Sequence, residues 1–176
     1  MENGDVKKEE IGNVKYIKDF VAWHEIKSVT EKRDVHNILI QEGAVWLMRL
    51  GVNVGSELDG KGDEFLRPVI VVKKINEQVF FGVPASSKMT DGYFRQKFTL
   101  LGEPRMAVLS HVRSFDKKRC MRFMMMLDKN TMDVITQRIG HIFIPESIPE
   151  SRNPGHHNVA SGESPLPIEG PSVNTV

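Results

Sequence analysis

One cysteine, Cys120, is all that the 176-residue chain holds. A single thiol closes no internal disulfide and builds no zinc ribbon, so the core has to hold itself together by packing. Long hydrophobic runs are missing too. The most apolar stretches, Val69 to Val72 and Met124 to Leu127, fall far short of the about 20 residues that a membrane-spanning helix needs. The opening Met1 to Glu10 is charged and lacks the apolar stretch of a secretory leader, so a cytoplasmic protein is expected, with no membrane partner. An excess of one charge is also lacking, since 24 Lys and Arg face 23 Asp and Glu. An average this close to neutral does not by itself suggest nucleic acid; concentrated cationic clusters would have to make that case. With 40% hydrophobic and 27% charged residues, the composition excludes a fibrous, collagen-like or wholly disordered chain. The length suits one domain with appendages.

Composition divides the chain into three parts. From Pro145 onward lie six of the nine prolines, with little that is apolar or aromatic, so residues 145–176 are expected to be a disordered tail. His156 and His157 fall there without the further ligands that a metal site requires. At the other end, Val14, Ile17, Phe20, Val21 and Trp23 recur at helical spacing, and Ile38 to Ile40 are expected to close a second short helical segment; residues 1–42 form an N-terminal helical extension. Between them, residues 43–144 carry six short apolar or alternating runs: Ala44 to Leu50, Pro68 to Ile75, Val79 to Pro84, Tyr93 to Leu100, Met106 to Val112 and Cys120 to Leu127. Asn76 and Glu77 mark a tight hairpin. Asp128 or Asn130 then caps a helix that sets Met132, Ile135, Ile139, Ile142 and Phe143 on one face. The fold class expected is α+β, mainly β: a small barrel closed by a C-terminal helix.

Three clusters carry possible chemistry. Gly55 to Lys61 matches the first seven positions of a phosphate-binding P-loop, but Gly62 stands where a magnesium-binding hydroxyl is needed. Glu57 and Asp59 would repel phosphate, and a β-branched strand follows in place of a helix N-terminus. Gly51, Gly55, Gly60 and Gly62 read more simply as a mobile loop able to cover a site. At its end Arg67 precedes Pro68, which biases the arginine to extended backbone at the entrance of a strand. A guanidinium there suits an oxyanion, or equally pairs with Asp63 or Glu64 on an ordinary surface. Ser86, Ser87 and Lys88 place two hydroxyls and an amine at a strand end, without the Gly-x-Ser-x-Gly pattern of an acyl-transfer nucleophile. In the third cluster, Ser110 to Arg119, an extended backbone would put His111 and Arg113 on one face, a proton-transfer group beside a phosphate clamp. A solvated basic turn with a structural histidine explains the same residues.

Taken in order, Gly43 to Trp46, Gly55 to Glu57, Arg67 to Val72, Val83 to Lys88 and Ser110 to Arg119 resemble the MazF/PemK family of toxin-antitoxin toxins. The resemblance covers about residues 43 to 143. It implies an SH3-like barrel of the MazF/PemK/CcdB type that forms a homodimer, and an endoribonuclease (mRNA interferase) that needs no metal or cofactor. Such an enzyme cuts single-stranded RNA and leaves 2′,3′-cyclic phosphate and 5′-hydroxyl ends. A cognate antitoxin is implied as partner, with DNA binding in its company. Carried over by position, Arg67 is the catalytic arginine, Ser86 replaces the family's usual threonine with Ser87 beside it, and Arg113 and Asp116 match the second element. His111 stands where glutamine is common, and Lys61, Lys88, Lys117 and Arg119 are candidate substrate-binding cations. The general base stays unidentified at this point. A non-catalytic SH3-like binding module, or a gyrase-poisoning toxin on the same scaffold, remains the alternative.

Overall fold

The computed structural model describes residues 17–144. The tail expected from Pro145, and Val14 of the N-terminal periodicity, lie outside the described residues.

The first element, α1 (Phe20–Glu31), begins where the Asp19 carboxylate accepts the Ala22 amide proton at 2.9 Å, satisfying one of the orphan donors of a helix start. Ile17 therefore precedes the helix. The second helical segment expected at Ile38 to Ile40 does not form: these residues lack regular structure, with Leu39 exposed and Ile40 buried. Three apolar residues are too few to offset helix nucleation, and alternation suits an extended run.

Seven strands follow where six were expected: β1 (Ala44–Arg49), β2 (Leu66–Lys74), β3 (Val79–Ser86), β4 (Arg95–Leu100), β5 (Glu103–Val108), β6 (Arg113–Asp116) and β7 (Cys120–Met126). All pair antiparallel in the order β4-β5-β3-β2-β1-β7, with β6 on the first half of β3. The run expected at Met106 to Val112 breaks in two, because Leu109–His111 form a 3-10 turn between β5 and β6. This division lets β3 serve two partners: Val79 to Gly82 pair with β6, while Ala85 and Ser86 pair with β5. The sheet curls as a result. β2 also starts earlier than expected, so Arg67 lies within the strand and not at its entrance. At the β2–β3 hairpin the Asn76 carboxamide oxygen accepts from both Gln78 N and Val79 N at 2.8 Å, an Asx turn that stands in for the missing glycine.

The chain ends its described part in α2 (Lys129–Ile142), capped by Asp128, whose carboxylate takes the Thr131 amide at 2.9 Å. Ile135 and Ile139 press into a core with Val45, Ile70, Val83, Phe98, Leu100, Ala107, Leu109 and Leu127. Arg138 fixes the helix to the β4 side, donating to Gln96 Oε1 at 2.8 Å and to Tyr93 O at 2.6 Å. Phe143, expected on the buried face, is the C-cap and stays exposed, because the helix has ended before it. A second core on the other side of the curl gathers Ile40, Met48, Leu50, Val69, Phe80, Phe115 and Cys120. Burial pushes the Cys120 thiol up to about 12, so it remains a protonated core group. Among the described residues no helix is long and apolar enough to cross a membrane. Ile135 has no exposed surface, so Ile135→Ala should cost about 2–5 kcal/mol of unfolding free energy in a urea titration, with the slope unchanged.

Candidate active site

The segment between β1 and β2 organises the site. Its glycines suggest freedom, yet its polar groups are closely paired. Asn53 N donates to Asp59 Oδ1 at 2.6 Å, Asn53 Nδ2 to Leu58 O at 2.8 Å, and Gly60 N to Gly51 O at 2.7 Å. Two cations then pin it from opposite sides. Lys18, just ahead of α1, donates to Asn53 O at 2.6 Å and Gly55 O at 2.9 Å, and pairs with the Asp59 carboxylate at 3.1 Å. Arg67 donates from Nε to Asp59 O at 2.7 Å and from Nη1 to Ala85 O at 3.2 Å, joining the loop to β3. Trp23 of α1 closes over the loop's first residue: Gly51 sits at φ +94°, and a Cβ there would stand 2.4 Å from the indole. The structure agrees with the rejection of a P-loop, since Lys61 bridges to Leu66 and the chain enters β2 with no helix.

On one side of this loop is a cleft of about 780 Å³ that reaches Arg67. Its walls carry Asp19, Glu57, Asp59 and Asp63 against Lys61 and Arg67, a lining with more carboxylates than cations. Arg67 itself is only 6% exposed. Continuing the β2–β3 register from Val69 opposite Pro84 brings Arg67 alongside Ser86. The Ser86 hydroxyl accepts from Lys88 N at 3.1 Å, which closes the turn after β3, and Lys61 Nζ lies 3.4 Å from Ser87 Oγ. Arg67, Ser86, Ser87, Lys61 and Lys88 are thus neighbours, as the sequence suggested. In this arrangement Arg67 grips main-chain carbonyls and Ser86 holds a turn.

On the loop's other side, Glu57 and Leu58 also wall a cleft of about 240 Å³ with Asn53, Pro84, Ser110, His111 and Arg113. His111 reaches it from the 3-10 turn and Arg113 from the first position of β6, so the two meet without the extended spacing expected. Burial and then the positive charge of Arg113 hold His111 below its ordinary value of 6.5, against a main-chain contact with Ser56 that raises it. Arg95 adds to the lowering and Glu57 opposes it. The imidazole is therefore neutral at neutral pH, with Nδ1 3.1 Å from the Ser110 hydroxyl. Arg113 is exposed; it stacks 4.8 Å above the Phe115 ring and donates weakly to Leu50 O at 3.4 Å, leaving donors of its fork for a ligand.

Ser86, Ser87 and Lys88 line neither cleft, although they neighbour Arg67 and Lys61, and three further expected residues also stay out of both linings. Asp116 pairs opposite Val79, seven positions along β3 from Ser86 and so roughly 23 Å away. Its carboxylate accepts from Lys118 N at 2.8 Å and caps a turn. Lys117 follows it to that far end. Arg119 donates to Arg49 O at 3.0 Å and, like Arg113, to Leu50 O at 3.4 Å, and its guanidinium lies 5.6 Å from the Trp23 ring, so it stands behind the wall of the His111 cleft and outside its lining. Burial and Arg113 lower its affinity for its proton, though a guanidinium stays charged. Sequence reasoning missed Lys18, Trp23 and Glu57. No local pattern marks them, because their roles come from α1 and the loop meeting across the fold.

The fold is a curled antiparallel half-barrel sheet with one helix before it and one closing it, and the two clefts lie on either side of its β1–β2 loop. The chain belongs to the PemK-like, MazF-like toxins of type II toxin-antitoxin systems, whose family model matches residues 41–143. Members of that family are generally endoribonucleases. Among solved structures the chain is similar to the Mycobacterium tuberculosis toxin MazF-mt6, at 11% identity over 57% of this chain and 96% of that one, with a TM-score of 0.45. No curated protein matches the chain. The match of the family model begins ten residues beyond the end of α1, so α1 and Lys18 lie outside it.

The pinning of the loop has a direct test. Gly51→Ala combines positive-φ strain with a collision against Trp23 and should cost roughly 1–3 kcal/mol. Hydrogen exchange should then quicken at Asn53 and Gly60 while the β2–β3 amides stay protected.

Proposed function

We propose that this protein is a cytoplasmic endoribonuclease toxin that cuts single-stranded RNA by attack of a ribose 2′-hydroxyl on its own phosphodiester. The products are a 2′,3′-cyclic phosphate and a 5′-hydroxyl. In this reading it acts as a homodimer, reads a short sequence, and is blocked by a cognate antitoxin. RNA brings its own nucleophile, so the protein has to orient it, move protons and absorb the charge that builds on the phosphorane. The observation that carries the reading is the pairing of His111 and Arg113 in one cleft. A histidine neutral at pH 7 accepts the 2′-hydroxyl proton, and once charged can return it to the leaving 5′-oxygen. Arg113 offers a planar fork to the non-bridging oxygens. Lys61, Ser87 and Lys88, exposed at the other mouth, suit the RNA backbone on either side of the cut. Arg67 is assigned a positioning role: it holds the wall shared by both clefts.

The test is cleavage of a mixed-sequence RNA in EDTA, followed by end mapping. Wild type should give discrete fragments whose 5′-hydroxyl ends accept a label without prior dephosphorylation. His111→Ala should slow cleavage by about 100-fold or more with an unchanged melting curve. Cleavage at the wild-type rate in that variant would reject the site, and RNA retention without new ends would favour a non-catalytic module. Because His111 is lowered from 6.5, the acidic limb of kcat/KM should fall below that pH, since the base form persists to greater acidity than in an ordinary histidine. Arg67→Ala should behave differently from His111→Ala. It leaves the Asp59 and Ala85 carbonyls without that donor and should lower stability by roughly 3 kcal/mol together with activity.

A further inference from the structure

At the opposite end of β3 and β6 lies a cleft of about 270 Å³ that neither cleavage nor the loop uses. Its walls come from two sources. The stretch after α1 supplies Lys32, Arg33, Asp34 and His36, and the end of the sheet supplies Gln78, Lys117 and Lys118. Five of the eight lining residues precede the family match, so most of this wall lies in the N-terminal extension.

Lys117 is the unusual member. It is only 6% exposed, and its main-chain N–H is fixed by Gln78 O at 2.8 Å. Its ammonium makes no hydrogen bond or ion pair among the described residues. Glu77 feels its charge from a distance but is bonded to Lys74 at 2.5 Å. The other charges are largely committed. Arg33 donates to Lys118 O and to Cys120 O, and Lys118 pairs with Glu31 at 2.7 Å. Asp34 accepts from His36 N at 3.1 Å and lies 3.5 Å from that ring. Lys32 and Lys117 remain as cations without an acceptor. The Lys117 stem is buried while its ammonium is left to be completed from the cleft, so with Lys32 it offers uncommitted donors to an anion.

We infer that this cleft is a second phosphate site, in which Lys117 and Lys32 hold a backbone phosphate of the RNA strand at a distance from the cut. The inference rests on the RNA-cleaving reading and deepens it. The span is set by β3: Pro84 borders the His111 cleft and Gln78 this one, six residues or roughly 20 Å apart. A strand must therefore extend several nucleotides beyond the scissile bond before it reaches Lys117. Such an anchor adds affinity for long RNA without touching the chemistry.

The experiment measures binding of single-stranded RNAs of increasing length, with a 2′-deoxy sugar at the mapped cut site to prevent cleavage, by fluorescence anisotropy over a range of salt. Wild type should show a step of about tenfold in affinity once the strand spans the two clefts. Lys117→Met should remove the step, lower the salt slope by about 0.7, and leave kcat on a short RNA unchanged. Lys32→Ala, an exposed change that the fold tolerates, should shrink the step and keeps the test valid should Lys117→Met fold poorly. A length step and salt slope identical to wild type in Lys32→Ala and in folded Lys117→Met would overturn the site. If the wild type cuts short RNA but shows no step, this site alone falls; if it neither cuts nor binds RNA, the proposed function falls with it.

Discussion

The arrangement depends on one guanidinium that ties a loop to a strand. Arg67 takes the Asp59 carbonyl with one nitrogen and the Ala85 carbonyl with another, so it bridges the segment from Gly51 to Phe65 to β3. Lys18 and Trp23 press the same segment from the far side. Glu57 and Leu58 are held as a partition in consequence. One face of the partition looks onto a carboxylate-rich cleft, the other onto His111 and Arg113. The first lining carries more carboxylates than cations, whereas the second sets a single carboxylate, Glu57, against Arg113, and the proposal places the chemistry in the smaller cleft on that contrast.

That assignment suits the modest demands of the reaction. Cleavage of RNA by its own 2′-hydroxyl, a transesterification, needs no protein nucleophile, and the buried thiol of Cys120 and the turn-bound hydroxyl of Ser86 offer none. What it needs is a group that exchanges protons near neutrality and a permanent positive charge beside it. In the proposed reading His111 and Arg113 supply these, and after burial the arginine's charge helps to hold the imidazole below its ordinary value. An anion bound there would offset that repulsion and raise the imidazole's basicity as substrate enters.

Much of the fold was legible in the residues. Period-two apolar runs gave β1, β2, β3 and β7, and the spacing of Ile135 and Ile139 gave the buried face of α2. Arg67, Ser86 and Lys61, which the family resemblance named as site residues, lie near one another in the fold. Other features were not legible, for physical reasons. The 3-10 turn at Leu109–His111 has no propensity signal distinct from a continuing strand, so the run from Met106 reads on to Val112 and the short strand β6 after it goes unread. Asp116 and Lys117 share a motif with Arg113, but β6 carries them along β3 to the opposite end of the sheet, and a motif does not reveal how far apart its members land. Arg67 was expected to face substrate because its backbone is extended. The direction of a side chain within a curled sheet depends instead on the carbonyls that meet it, here from a loop far away in the fold. Lys18 is an ordinary lysine by sequence and a staple only in three dimensions.

The central claim is that the RNA phosphate seats beside His111 and Arg113 and not in the cleft against Arg67. Chemical-shift mapping with a non-cleavable RNA, its scissile nucleotide lacking the 2′-hydroxyl, tests this directly. The account predicts the largest changes at Ser110, His111 and Arg113, with the imidazole becoming more basic on binding. Changes concentrated at Asp19, Asp63 and Arg67, with His111 unmoved, would contradict it.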